Sequence, residues 1–137
     1  METISKKDVS QEEVIENIDI GGPSMIRSAA KNVGWVCVVV DPNDYLLMIN
    51  ELEKKSEISY DTRKMLSAKA FGHTAQYDAL IHDYFKEDKL SQDLTLTFKK
   101  NSNLRYGENP HQSAASYSII NNDEPNILSA TIHQGKK

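Results

Sequence analysis

The run Asp19-Ile20-Gly21-Gly22-Pro23-Ser24 constrains the fold of this chain more than any other stretch. Two adjacent glycines lack Cβ atoms, so the backbone there can turn tightly and let another group approach closely. Pro23 suits the first turn of a helix, where its missing N–H removes no hydrogen bond. Met25, Ile26, Ala29 and Ala30 then recur at helical spacing, so residues 24–31 read as a short helix with one apolar stripe. Asn32 and Gly34 supply its stop. A helix N-terminus presents free N–H groups and the positive end of the helix dipole. The run therefore reads as an anion site, for a phosphate or carboxylate, with Asp19 at its mouth and Lys31 near the far end of the helix. The plainer alternative is a loop before a surface helix with Asp19 solvated. Spacing alone favours that alternative, because short glycine motifs recur by chance.

Trp35-Val36-Cys37-Val38-Val39-Val40 follows, a continuous run rich in β-branched residues, as expected of a strand covered on both faces in a parallel sheet. Asp41-Pro42-Asn43-Asp44 closes it. Asn43 or Asp44 can cap a second helix, which carries Leu46, Leu47, Ile49 and Leu52 and runs to about residue 55. Ser59 can cap a long helix over residues 60–85, with Met65, Leu66, Phe71, Tyr77, Leu80, Ile81, Tyr84 and Phe85 at apolar positions near the helical period. Gly72 within it implies a close packing contact, since glycine there costs about 1 kcal/mol against alanine. Residues 86–93 are polar and read as a linker. Beyond them, residues 94–98 alternate as a half-buried strand does. A second strand is expected over residues 114–120, then a turn at 121–125 and a weak final strand. Helix–strand alternation before the linker implies an α/β layer. After it come strands with no helix between them.

At 137 residues the chain is about one domain in size. A hydrophobic content of 39% with 26% charged residues marks a folded globular protein. Mean hydropathy is −0.55, and the longest apolar run is far too short to span a bilayer. The first residues lack the apolar centre of a signal peptide. Cys37, the sole cysteine, excludes an internal disulfide and reads as a buried, inert thiol, so a cytoplasmic location is expected. A net charge of −4 and a pI near 5.5 do not suit a nucleic-acid binder, which carries a basic face. His73, His82, His111 and His133 show no metal-ligand spacing, and neither a Walker loop nor a zinc signature is present.

A second segment carries as much information as the first: Leu104-Arg105-Tyr106-Gly107-Glu108-Asn109-Pro110-His111-Gln112. With the glycine run and the closing Ala29-Ala30-Lys31-Asn32, it resembles the two landmarks of the bifunctional purine-biosynthesis family that combines IMP cyclohydrolase with AICAR transformylase. The resemblance extends over about residues 2–117. It implies an α/β fold in which residues 1–88 are the C-terminal part of a methylglyoxal-synthase-like parallel-sheet domain. Residues 89–137 would then be the first strands of a cytidine-deaminase-like transformylase domain.

The resemblance also assigns roles. In cyclohydrolysis the carboxamide nitrogen of formyl-AICAR attacks the formyl carbon, the purine ring closes and water leaves. One group must accept a proton and another must steady the developing oxyanion. The family motif implies that Asp19 takes or orients the carboxamide proton, that Lys31 stabilises or protonates the formyl oxygen, and that Gly21 and Gly22 shape the backbone around the nucleotide. It likewise implies that Arg105, Tyr106, Asn109 and His111 help bind AICAR. An arginine can fork two hydrogen bonds to a phosphate or carboxamide, and a tyrosine can stack on a base. Without the family, Lys31 is a surface lysine and residues 107–110 are a turn. The implied ligands are purine nucleotide precursors (AICAR, formyl-AICAR, IMP). The implied formyl donor is 10-formyltetrahydrofolate, with no metal at the cyclohydrolase step and a homodimeric assembly.

The family's phosphate-binding loop, a second lysine and a tyrosine of its cyclohydrolase site have no counterpart in this sequence. The same is true of the transformylase's Lys-His pair and folate site. The chain thus reads as a piece of the longer enzyme. Two other classes remain open from sequence: a nucleotide-binding module without turnover, and an inactive truncated product whose exposed sheet edge makes it pair or aggregate.

Overall fold

Ser10 opens the first helix of the computed structural model by accepting the Glu13 N–H on its hydroxyl at 3.1 Å. This helix, α1, is Gln11–Glu16, and Val14 is its buried residue. Residues 9–88, 90–120, 124–131 and 133–134 are described. The chain divides into two units, Met1–Phe85 and Lys86–Lys137.

In the first unit α2 is Gly21–Lys31, with Asn32 as its C-cap. A 3-10 turn at Pro42–Asp44 leads into α3, Tyr45–Lys55. The Asp41 carboxylate caps that turn, accepting the Asn43 N–H at 3.0 Å. The 26-residue α4, Tyr60–Phe85, is the backbone of the unit. Ser59 caps it as expected, its hydroxyl accepting the Thr62 N–H at 3.3 Å. The Glu51 carboxylate of α3 accepts in turn from the Ser59 N–H, the Ser59 hydroxyl and the Thr62 hydroxyl, at 2.9–3.0 Å. Those donors hold the Glu51 carboxyl below its ordinary value.

Four contacts set α2 antiparallel along α4: Asp19 with Tyr77, Arg27 with Phe71, Ala30 with Ser67, and Val33 with Arg63. The buried seam of α4 is not the large apolar set expected from periodicity. It consists of Thr62, Leu66, Ser67, Ala70, Thr74 and Ala79, while Met65, Phe71 and Phe85 stay exposed. Small side chains on the facing positions let two helices approach closely, and Ala30 of α2 seats there at 1% exposure. Gly72 is off this seam. A Cβ placed on it meets nothing within 4 Å, so no packing contact explains the glycine.

Residues 36–40 do not form the expected strand. They run without helix or strand structure, half-buried, and Trp35 before them is 90% exposed. A central parallel strand needs a neighbour on each edge, and the described part of the first unit contains no other strand. Cys37 is half-buried, and burial pushes its thiol above the ordinary value, with Arg63 opposing and Glu51 adding to the shift.

The second unit is built on an antiparallel hairpin of β1, Phe98–Leu104, and β2, Ala114–Ile119. The first strand lies later than the alternation of residues 94–98 suggests. Leu94 and Leu96 find no partner strand and remain exposed. A bulge between Lys100 and Ser102 shifts the register. Beyond β2 the described residues make a 3-10 turn at Ile127–Ser129 and contain no final strand, and residues 121–123 of the expected turn, with 132 and 135–137 of the tail, lie outside the described set. The fold is mixed α and β, with antiparallel pairing as its only sheet among the described residues. No described helix is long and apolar enough to cross a membrane.

Lys69 of α4 reaches Asp41 at 3.0 Å and Asp44 at 2.6 Å, tying the start of α3 to α4. The Lys69 ammonium, with the Asn43 N–H, holds the Asp41 carboxyl below its usual 3.8. A depressed carboxyl stabilises the fold above its unfolded value and loses that contribution as pH falls through the folded one. The thermal midpoint of Asp41→Asn is therefore expected to drop less steeply than that of the parent chain on acidification below pH 3.8, as read by circular dichroism melts.

Candidate functional site

The glycine run is organised around its own carboxylate. Asp19 Oδ1 accepts the Gly22 N–H at 2.9 Å, so Asp19 occupies the N-terminal end of α2 where an anion is favoured. A Cβ on Gly22 would lie 2.3 Å from Asp19 Oδ2, whereas one on Gly21 would make ordinary contact at 3.9 Å. Neither glycine has a positive φ. A side chain at position 22 would push the carboxylate aside, so Gly22 gives space beside it rather than a special backbone conformation. Little of the helix end is left for an outside phosphate: Pro23 has no N–H, and that of Ser24 goes to the Ile20 carbonyl at 3.2 Å. The Asp19 backbone N–H is held from elsewhere, donating to the Tyr77 hydroxyl at 2.9 Å. Oδ2 lies over Gly22, where a Cβ would stand, and accepts no hydrogen bond among the described residues, on an exposed side chain.

Lys31 stands at the other end of α2 and is exposed. Ten helical steps at about 1.5 Å each separate Gly21 from Lys31, roughly 15 Å along the axis. Helical side chains lean toward the N-terminus, which shortens the gap to about 10 Å for an extended lysine. The structure therefore does not bring Asp19 and Lys31 together on one bond. The C-terminal end of α2 is fixed by α4. The Ser67 hydroxyl donates to the Ala30 carbonyl at 2.8 Å, and the Arg63 guanidinium donates to the carbonyls of Val33 at 3.0 Å, Gly34 at 3.1 Å and Ile58.

In the second unit, residues 105–113 connect β1 to β2. Gly107 N–H donates to the Gln112 carbonyl at 2.8 Å, and the Asn109 N–H donates to Gln112 Oε1 at 2.9 Å. A Cβ on Gly107 would sit 3.1 Å from the Gln112 Cβ, so this glycine permits the close return of the loop. The loop borders a concavity of about 380 Å³ lined by Asn103, Leu104, Arg105, Pro110, His111 and Gln112 among others. Arg105 and His111 thus share one hollow. Tyr106 and Asn109 are exposed on the same loop but outside that lining. No cluster of three metal-ligating side chains occurs among the described residues.

A model of the AICARFT/IMPCHase bienzyme family matches residues 29–137. The chain belongs to that family. It is 53% identical over 136 residues to the bifunctional purine biosynthesis protein PurH of Oenococcus oeni, covering 99% of this chain and 26% of the relative. The PurH protein of Leuconostoc mesenteroides is 50% identical over 135 residues, 98% of this chain and 26% of the relative. That of Bacillus cereus is 55% identical over 119 residues, 85% and 23% respectively. The chain spans about a quarter of the length of these curated relatives.

Within the bienzyme family member described here, both sequence landmarks fall at ordered turns. The glycine run starts α2, and the Arg105 segment joins β1 to β2. Two residues that organise the first of these sites, Tyr77 and Arg63, carry no motif. Tyr77 lies 58 positions from Asp19, and Arg63 lies 30 from Val33. Local sequence offers no signal for such pairs.

Proposed function

We propose that this chain contributes Asp19, with Gly21, Gly22 and Lys31, to an IMP cyclohydrolase centre, and Arg105, Tyr106, Asn109 and His111 to AICAR binding in a transformylase centre. The observation that carries the reading is the fixed Asp19 carboxylate. One oxygen is committed to the Gly22 N–H, and the other is free to accept or orient the carboxamide proton of formyl-AICAR. As the carboxamide nitrogen bonds to the formyl carbon, charge grows on the formyl oxygen, which then leaves as water. A cation near that oxygen lowers the barrier. Even extended back along α2, Lys31 stops short of Asp19, so it fills this role only from across the bound nucleotide, and its contribution is separable from that of Asp19.

The hollow beside Arg105 and His111 is lined mostly by hydrogen-bonding groups and suits an anionic ligand such as AICAR. No step through 10-formyltetrahydrofolate is assigned to these residues. Family membership supports the finer architecture as well: a methylglyoxal-synthase-like piece over residues 1–88, the start of a cytidine-deaminase-like domain over 89–137, and a cytoplasmic homodimer.

Conversion of formyl-AICAR to IMP by the purified chain tests the reading. Asp19→Asn is expected to lower kcat by about a hundredfold, within the range of acid–base contributions, and Gly22→Ala to do the same by displacing the carboxylate. A Lys31→Ala variant with lower kcat at constant KM places the ammonium on the transition state, and one with raised KM alone makes it a ligand-holding cation. Turnover unchanged in Asp19→Asn removes the proposal. A second reading, nucleotide binding without turnover, draws on one observation: no cationic side chain bonds Asp19 among the described residues. Saturable IMP binding with no IMP formation would select it.

A further inference from the structure

We infer that Tyr77 is a positioning residue for Asp19: its phenolic oxygen, by accepting the Asp19 backbone N–H, fixes where the carboxylate stands over the start of α2. The inference rests on the reading of Asp19 as the reacting carboxylate. Asp19 precedes α2, so its N–H has no intrahelical partner. Among the described residues, the bond to Tyr77, at 2.9 Å, is the one that ties this backbone to another element. The second restraint is local, from the Gly22 N–H to Oδ1 at 2.9 Å. One bond orients the Asp19 peptide and the other orients its side chain. Together they restrain both ends of the residue, backbone and side chain.

The restraint has force because Tyr77 is itself located against α2. Thr74 and Ala70, one and two turns earlier on the same face of α4, are buried at 1% and 0% exposure. Further along, Ser67 and Arg63 hold the opposite end of α2 through the Ala30 and Val33 carbonyls. The phenol oxygen is thus fixed relative to α2 along the whole helix. A tyrosine suits the task, since a rigid ring carries an oxygen to the surface while its body stays packed. Phenylalanine keeps the ring and loses only the acceptor.

Amide hydrogen exchange on the full chain, compared with Tyr77→Phe, tests this directly. Exchange at Asp19 and Gly22 is expected to quicken by about tenfold, the equivalent of one hydrogen bond, while Leu66, Ala70 and Thr74 in the seam keep their rates. In the formyl-AICAR assay the same variant is expected to lose about tenfold in kcat at constant KM and constant thermal midpoint. Unchanged exchange at Asp19, or equal acceleration at the seam amides, overturns the inference. Faster exchange at Asp19 in Tyr77→Phe alongside wild-type turnover in Asp19→Asn upholds the positioning and sinks the catalytic reading of Asp19. Turnover lost in Asp19→Asn, with exchange and kcat intact in Tyr77→Phe, does the reverse. Exchange decides the inference whatever turnover the chain shows.

Discussion

Leu66→Ala is expected to lower the unfolding free energy of the first unit by about 3 kcal/mol, in the middle of the range for truncating a buried leucine. Leu66 is 1% exposed and, with Thr74, is the largest fully buried side chain described. The buried residues nearest it along α4 are short, Thr62, Ser67 and Ala70, and so is Ala30, the buried residue of α2. Short side chains have no reach with which to refill a vacated volume, so the cavity term stays close to its full value. A loss of this size is a large part of the stability of a small domain. Leu66→Met, which conserves volume and bends, is expected to cost less than about 1.5 kcal/mol. Urea unfolding followed by far-ultraviolet circular dichroism measures both. Equal midpoints for Leu66→Ala and the parent chain would show that the seam does not hold the unit together.

Arg63→Ala is the second large effect, expected at about 2–4 kcal/mol, from three hydrogen bonds lost together and carbonyls left partly buried without a donor. Val33 and Gly34 follow the C-terminal end of α2, where carbonyls carry the negative end of the helix dipole. Ile58 lies just before α4. One guanidinium therefore joins the end of one helix to the start of another. Its planar fork of donors reaches three acceptors at fixed angles, which a lysine ammonium on a flexible stem does not. Arg63→Lys is thus expected to recover less than half of the loss. Removing the cation also takes away the charge that opposes the upward shift of the Cys37 thiol. Faster reaction of Cys37 with a thiol reagent in Arg63→Lys than in Arg63→Ala, measured below the unfolding transition, would follow from the retained charge.

Local rules read the helices well, because their signals are local. Ser59, Asn32 and the Gly21-Gly22-Pro23 run mark helix ends through bonds to residues within a few positions. The extended segment after Trp35 was misread for the opposite reason. Its β-branched residues set a preference for extended backbone, but pairing requires a partner strand, and composition cannot supply one. Periodicity likewise found α4 but not its buried side. It weights Met65 and Phe71 over Ala70 and Ser67, whereas close helix approach selects the small residues. At the site, Asp19 and Gly22 were legible as neighbours in sequence. The reason for Gly22, a carboxylate folded across it, was not. Tyr77 and Arg63 act over tens of positions and became visible only with the antiparallel match of α2 to α4.

That match makes insertion and substitution unequal events in α4. A single residue added between Ser67 and Tyr77 would turn everything beyond it by about 100° and advance it by about 1.5 Å. Tyr77 would swing away from Asp19 while Ser67 and Arg63 kept their carbonyls. A replacement on the outer side of the helix, as at Gly72 where an added Cβ meets open space, leaves the alignment untouched. Among homologues, α4 should therefore vary freely in composition along its outer side and hardly at all in the number of residues from Arg63 to Tyr77.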